Sequence, residues 1–410
     1  MSLNIVTISS LYPNAGDFKH GVFVETRLRN LLKTHSDVNA IVIAPVPWFP
    51  FKHKIFGEYA KYANVPPHEV RHGIHIYHPK YLVIPKIGML LTPKLMARGI
   101  KKQLQAIIQS GFQIDLIDGH YFYPDGVAIA KAASELNIPF TCTARGTDIN
   151  LIPKMEKPRA LIQQVFGQAA HLMAVCSALK DEMQRLGAAE EKTTVLRNGV
   201  DLKLFKPSTE MQQAQLKQQL KQQLEQQLKQ QLIGDKKLLL SVGWLIERKG
   251  HYLVIEAMRS LENCHLMIAG DGPDKKALEK QVDKLNLKDK VTFLGALPQS
   301  ALADYYRAAD ALVLASSREG WANVLLEAMA CGTPVVAANI WGTPEVVAAE
   351  EAGVLVDREA KSIAQGIEKV LQKSYTRADT RAYAEQFSWL ETSNRQYQIF
   401  SAIKQSKSES

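Results

Sequence analysis

The feature that most constrains this chain is an alternation of short apolar runs with longer stretches of helical spacing. In the first half the runs are Ile5–Ser9, Ala40–Ala44, Ile74–Tyr77, Leu116–Ile117, Phe140–Thr143, His171–Val175 and Thr193–Leu196. In the second half they are Leu238–Val242, His265–Ile268, Val291–Leu294, Ala311–Leu314, Pro334–Ala337 and Val354–Val356. Between them lie helical patterns such as Val22–Lys33, Gly126–Glu135, Ser177–Arg185, Gly250–Arg259, Lys275–Leu285 and Val324–Ala330. An unbroken apolar run marks a strand covered on both faces, and parallel neighbours need a helical crossover between them. Two such series in succession predict an α/β chain with two doubly wound domains. Ligands of such sheets sit beyond the carboxyl ends of the strands, so two facing domains would enclose a cleft.

The predicted boundary is the turn at Asn198-Gly199-Val200-Asp201, continued by Phe205-Lys206-Pro207. The first domain is then 1–197 and the second 198–388. The segment Trp389–Lys404 reads as a last helix within 389–410, and Ser406–Ser410 as a frayed polar end. A low-complexity tract occupies 211–233, with leucines at positions 216, 220, 224, 228 and 232. Its four-residue units predict a solvent-exposed helical insertion, and the absence of a heptad disfavours a coiled coil.

Composition removes several classes. Apolar residues are 46% and charged residues 22% of the 410, which is ample for two cores and unlike a disordered chain. No apolar run reaches the roughly 18–20 residues that span a bilayer. The opening Met1-Ser2-Leu3-Asn4-Ile5 reads as a first strand and not as a secretory signal. Cys142, Cys176, Cys264 and Cys331 sit apart in apolar stretches, without metal-ligand spacing. Reduced core thiols, no metal and a cytoplasmic location are the expectation. The charge of +9 is lopsided: residues 1–200 hold 23 Lys and Arg against 15 Asp and Glu. That imbalance points the first half towards an anionic partner, a membrane surface or phosphorylated lipid before nucleic acid.

The candidate chemistry lies where runs end. Glu319-Gly320-Trp321-Ala322-Asn323-Val324 leads into a helix that carries Glu327 on an apolar face. The helix N-terminus there suits phosphate or sugar oxygens, and a buried Glu327 needs partners such as ribose hydroxyls. Gly243-Trp244-Leu245-Ile246-Glu247-Arg248-Lys249 ends another run with two adjacent cations, able to neutralise a diphosphate without a metal. Gly270-Asp271-Gly272 makes a tight turn but lacks the third glycine of a dinucleotide fingerprint, so a nicotinamide cofactor is disfavoured. In the first half, Asn14-Ala15-Gly16-Asp17-Phe18-Lys19-His20-Gly21 joins the opening strand to a helix. Asp118-Gly119-His120 and Arg145-Gly146-Thr147-Asp148 follow two further runs on the same rim, with His120 as the candidate for a direct role.

Taken together, Glu319-x7-Glu327, Arg248-Lys249-Gly250, Gly270-Asp271-Gly272-Pro273, Asn198-Gly199-Val200-Asp201 and Gly342-Thr343-Pro344-Glu345 resemble the retaining glycosyltransferases of family four. The resemblance covers the chain except the Gln/Leu tract. It implies the GT-B fold of two facing Rossmann-like domains, with 389–410 crossing back to the first. Gly21-Val22-Phe23-Val24 and Tyr123-Pro124-Asp125-Gly126 are similar to the teichuronic-acid and exopolysaccharide branch. By this resemblance Glu319 positions the donor sugar, and the backbone of Gly320, Trp321, Ala322, Asn323 and Val324 holds sugar and phosphate. Glu327 takes the ribose, while Arg248 and Lys249 stabilise the leaving diphosphate, with Gly243 and Gly272 lining the donor. Gly16 and Gly21 admit the diphosphate, His120 stands beside the reacting sugar, and Asp118, Arg145 and Asp148 belong to the acceptor side. Trp244 stands where many members have arginine.

The expected reaction moves a sugar from a nucleotide-sugar to a glycan or lipid-linked acceptor in cell-surface polysaccharide synthesis, with no cofactor. The segment Lys86–Gln105 mixes cations with apolar residues and suits an anionic membrane surface, which adds a peripheral position on the cytoplasmic face of the inner membrane. The rival readings are a nucleotide-sugar epimerase or phosphorylase on the same fold and, remotely, a basic nucleic-acid-binding protein. The chain lacks a basic recognition helix or an aromatic-interleaved basic sheet, which argues against the last.

Overall fold

The computed structural model describes residues 2–48, 62–83, 88–228 and 234–409. They form two compact units, Met1–Arg197 with Trp389–Ser410, and Asn198–Ser388.

The first unit is built on β1 (Leu3–Ile8), β2 (Val38–Ile43), β3 (Val46–Trp48), β4 (His68–Arg71), β5 (Ile74–Tyr77), β6 (Lys80–Leu82), β7 (Leu116–His120), β8 (Phe140–Ala144), β9 (His171–Ala174) and β10 (Thr193–Val195). Eight of them make one sheet in the order β10-β9-β8-β7-β1-β2-β5-β4, while β3 and β6 form a small separate pair. Every pairing in the large sheet is parallel except β4 with β5. All residues of β7 and β8 are buried, as strands covered by helices on both faces must be. The order reverses between β1 and β7: the chain builds outward through β2 on one side and through β8, β9 and β10 on the other.

The second unit repeats the plan with β11 (Lys237–Val242), β12 (Cys264–Ala269), β13 (Val291–Gly295), β14 (Ala311–Leu314), β15 (Val335–Ala338) and β16 (Gly353–Val356). The order is β13-β12-β11-β14-β15-β16, all parallel, so the reversal lies between β11 and β14. A reversal leaves a crevice between two loops that depart to opposite faces, and ligands bind there.

Each predicted run is a strand. Three strands were not anticipated, β3, β4 and β6, which are short, edge-placed or alternating with exposed residues. Asp118 and His120 do not follow a strand but form the end of β7. The Gln/Leu tract is helical over Glu210–Leu228, with 229–233 outside the described residues. It is not wholly solvent-exposed: Leu220 and Leu224 are buried, and Lys217 Nζ lies 2.6 Å from Asp310 Oδ2. Ser406 to Glu409, expected to be frayed, continue the helix Trp389–Glu409, and Ser410 lies outside the described residues. Lys86 and Ile87, which open the basic apolar segment, lie outside the described residues; the rest of it forms the turn Gly88–Leu90 and most of the helix Thr92–Gln109. Among the described residues the four cysteines are buried and free, no group of three His, Cys, Asp or Glu side chains could hold a metal ion, and no helix is long and apolar enough to cross a membrane.

Candidate active site

In the second unit the crevice is bounded by the loops after β11 and β14. The first loop leaves β11 at Gly243 and coils into a short turn, Glu247–Lys249, before the helix His251–Ala257. Gly250 joins turn to helix at φ 71°, and a Cβ there would overlap the carbonyl oxygen of Ala315 at the exit of β14. Only glycine lets the two loops approach this closely. Ser317 N donates to Arg248 O at 2.8 Å and seals the approach.

That contact brings the two cations onto Glu319. Lys249 Nζ donates to Glu319 Oε1 at 2.7 Å, Ser316 Oγ donates to the same oxygen at 2.6 Å, and Arg248 Nη1 stands 3.6 Å from Oε2. Arg248 Nη1 also donates to the carbonyl of Arg318 at 2.7 Å. Burial alone would push the Glu319 carboxyl up, but Lys249 and Arg248 hold it below the ordinary glutamate range. The result is a charged cluster with more cation than anion, at the reversal of the sheet. Its surplus charge fits an anionic ligand.

Glu319 is followed by buried Gly320, Trp321 and Ala322, and the helix Asn323–Ala330 then starts with Asn323 and Val324 half-buried. Asn323 Oδ1 accepts from Asn198 Nδ2 at 3.3 Å, which ties the Asn198-Gly199 turn to this helix end. The Gly270–Gly272 turn is knitted to the β11 loop: Leu245 N donates to Asp271 O at 2.8 Å, and Gly272 packs on the Leu245 backbone.

Glu327 lies apart from the cation cluster in its bonding. Its Oε2 accepts from the Tyr306 hydroxyl at 2.9 Å and its Oε1 from Gln299 Nε2 at 3.4 Å. Burial lifts its pKa to about 7 against these two bonds. The buried carboxyl therefore has protein partners, one short and one long, which the sequence did not reveal. Tyr306 and Gln299 precede it on another helix, and no spacing rule links them to Glu327.

In the first unit the loop after β1 turns through Asn14, whose Oδ1 accepts from Gly16 N at 2.9 Å, to Gly21 at φ 68° and the helix Val22–Thr34. A side chain at Gly21 would collide with the backbone of Leu11. Beside this loop, at the end of β7, His120 is 1% exposed. Its Nδ1 accepts from Arg145 Nη2 at 2.7 Å, so Nε2 carries the proton and donates to Asp118 Oδ2 at 3.1 Å. Burial, with Arg145, lowers its pKa to about 4 although Asp118 opposes the shift. The ring is neutral at pH 7, with both nitrogens engaged. The ring that the resemblance places beside the reacting sugar is thus bonded through both nitrogens to Arg145 and Asp118.

Asp118 and Asp148, expected on the acceptor side, are likewise buried and bonded within the protein. Asp118 is 1% exposed and is held by His120 and by Gln396 Nε2 at 3.4 Å. Asp148 is fully buried and accepts from the backbone N–H of Phe122, Arg145 and Gly146, closing the loop that carries Arg145. Arg145 remains half-buried on this rim. Asp125, unremarked in the sequence as a site, receives Ser10 N at 3.2 Å and Ser10 Oγ at 2.8 Å and fastens the β1 loop to the β7 loop.

The family model for glycosyl transferases group 1 matches residues 222–387, and that for glycosyltransferase family 4 matches residues 55–204. A D-inositol 3-phosphate glycosyltransferase of Frankia alni is 30% identical over 294 residues, covering 66% of this chain and 69% of its own. The chain belongs to the group 1 glycosyl transferases. This glycosyltransferase is also 28% identical over 367 residues to TuaC of Bacillus subtilis (strain 168), named for teichuronic acid biosynthesis, covering 89% of this chain and 88% of TuaC. Among solved structures, sucrose-phosphate synthase from Thermosynechococcus elongatus matches with a TM-score of 0.77 at 20% identity, covering 98% of this chain and 99% of that one. Anabaena HepE, crystallised with UDP and glucose, matches with a TM-score of 0.74 at 21% identity, covering 98% and 100%. At such identities the likeness shows the fold, which is GT-B.

Proposed function

We propose that this glycosyltransferase takes a sugar from a nucleoside diphosphate donor and passes it, with retention and without a metal, to a hydroxyl of a glycan or lipid-linked acceptor for a cell-surface polysaccharide. The observation that carries the reading is the Lys249–Glu319–Arg248 cluster at the reversal of the second sheet. The name of TuaC supports the polysaccharide setting, and the UDP and glucose bound by HepE support the donor class.

In this reading the diphosphate enters beside Lys249 and Arg248 and shares them with Glu319. Glu319 then accepts hydrogen bonds from sugar hydroxyls, and Glu327 takes the ribose at Oε1, whose bond to Gln299 is the long one. The acceptor hydroxyl attacks the anomeric carbon on the face that the diphosphate leaves. The bond from that carbon to the phosphate oxygen breaks as the bond to the acceptor oxygen forms. The acceptor's proton passes to the departing phosphate oxygen. No carboxylate nucleophile is needed: Glu319 is already held by two cations, and Glu327 is bonded to Tyr306. Catalysis rests on placement and on stabilising the charge of the leaving group. The first unit supplies the Gly16–Gly21 loop, which admits the diphosphate, and an acceptor rim that includes Arg145, on the cytoplasmic face of the membrane.

Lys249→Ala tests it. Removal of one preorganised cation from a leaving-group site lowers kcat by roughly 10²–10³. Nucleoside diphosphate titration in the same variant shows weaker binding, while circular dichroism stays native. Unchanged turnover by Lys249→Ala would overturn the assignment, as would donor conversion to an epimer without any acceptor.

A further inference from the structure

Outside the catalytic rims the first unit carries a groove of about 380 Å³ between the helices Thr92–Gln109, Val127–Leu136 and Glu156–Gln168. Its apolar lining comes from Leu90, Pro93, Val127, Ala130, Leu161 and Val165. At one end stand Met89, Leu90 and Leu91, exposed by 38%, 37% and 47%, an unusual run of three large apolar side chains left in water. That end adjoins the acceptor rim: Val127 follows directly on the loop from β7, and the Tyr123 hydroxyl donates to Met89 O at 2.6 Å.

The charge around the groove is one-sided. The helix Thr92–Gln109 has four cations, Lys94, Arg98, Lys101 and Lys102, and no acid. Lys94 and Lys131 line the groove, and among the described residues neither is within 4 Å of a carboxylate, although Lys131 acts on Glu135 from farther off. The lining carboxylate, Glu135, is already neutralised by Lys101 at 2.6 Å. An apolar trough with more cations than carboxylates around it complements a molecule that has a hydrocarbon chain and an anionic head.

We propose that this groove binds the hydrocarbon chain of a lipid-phosphate acceptor, with Lys94 and Lys131 taking its phosphate and the exposed apolar end leading the chain out to the bilayer. The proposal rests on the glycosyltransferase reading above and deepens it by naming the acceptor class. The groove places the phosphate near the acceptor rim, so the glycan attached to it reaches the transfer site while the tail stays outside.

The test uses the full chain and decyl phosphate, titrated calorimetrically beside inorganic phosphate and decyl maltoside. Decyl phosphate binds, and the other two bind at least about tenfold more weakly, since each lacks one half of the recognition. Leu90→Asp and the double variant Lys94→Glu/Lys131→Glu each weaken decyl phosphate by about tenfold or more. Both substitutions are at exposed positions, and unchanged titration by UDP certifies the fold. Equal binding of decyl phosphate by wild type and both variants overturns the groove. So does capture on phosphatidylcholine–phosphatidylglycerol vesicles with decyl phosphate inert, which would mean surface adsorption. Loss of UDP binding by the wild type with decyl phosphate retained would count against the donor reading and leave the groove standing.

Discussion

Glu327 is the residue whose protonation should be visible in solution. Burial raises its pKa to about 7, well above an unfolded glutamate near 4.5. The folded state therefore binds a proton that the unfolded state has released, and stability falls as pH rises from about 4.5 to about 7. The ionised form costs the fold on the order of 3 kcal/mol above that window. Glu327→Gln should flatten this part of the stability profile, measured by urea unfolding at several pH values. If Glu327 takes the ribose as proposed, ligand binding runs the opposite way, because hydroxyls bond more strongly to the carboxylate than to the neutral acid. Nucleoside diphosphate affinity should rise as pH increases through about 7. Tyr306→Phe deletes the 2.9 Å bond that favours the ion, so the same limb should move to higher pH. A limb that stays in place would show that Tyr306 does not tune Glu327.

At the scale of elements, the parallel strands were legible because burial on both faces writes itself as an unbroken apolar run, as in Leu312-Val313-Leu314. Edge strand β4, His68-Glu69-Val70-Arg71, escaped because half its residues are exposed and polar. Lys249 and Glu319 stood out through loop position and residue type. The engagement of His120, however, depends on Arg145, brought alongside by the pairing of β7 with β8, and a linear reading has no access to that. The Gln/Leu tract shows the same limit from the other side. Its replicated units look alike in sequence, yet packing distinguishes them: Leu224 is 2% exposed, whereas Met211 near the helix start is 73% exposed. The helix thus lies on the second unit, and Asp310 fixes it by accepting from Lys217. Leu224→Ala should cost about 2–5 kcal/mol, the range for a buried leucine truncation, and Met211→Ala close to nothing. Equal midpoints for the two variants in chemical denaturation would show that the tract is not packed.

At the scale of the whole molecule, the chain leaves the first unit at Arg197, builds the second, and returns at Trp389 to complete the first. The returning helix is part of that unit's core. Phe400 is fully buried in a cluster with Leu28, Leu31 and Ile5, and Lys404 Nζ binds Asp115 Oδ2 at 2.8 Å. Its most consequential residue is Gln396, which accepts from Arg27 Nε at 3.1 Å and donates to Asp118, the partner of His120. Arg27 is 1% exposed, and burial pulls its pKa down to about 10. Loss of an acceptor from a buried guanidinium typically costs several kcal/mol, because the cation stays desolvated while its partner is gone. A chain ending at Ser388 should therefore lose amide-exchange protection in β1, β7 and the helix Val22–Thr34. Strands β11, β12 and β14 should keep theirs, although the cut lies next to their unit in sequence. Gln396→Leu isolates the polar part of the effect: it keeps the apolar packing, strands Arg27 and releases one restraint on Asp118. Protection lost first in the second unit, in either protein, would mean that the last helix supports the sheet it follows in sequence and not the one it is packed against.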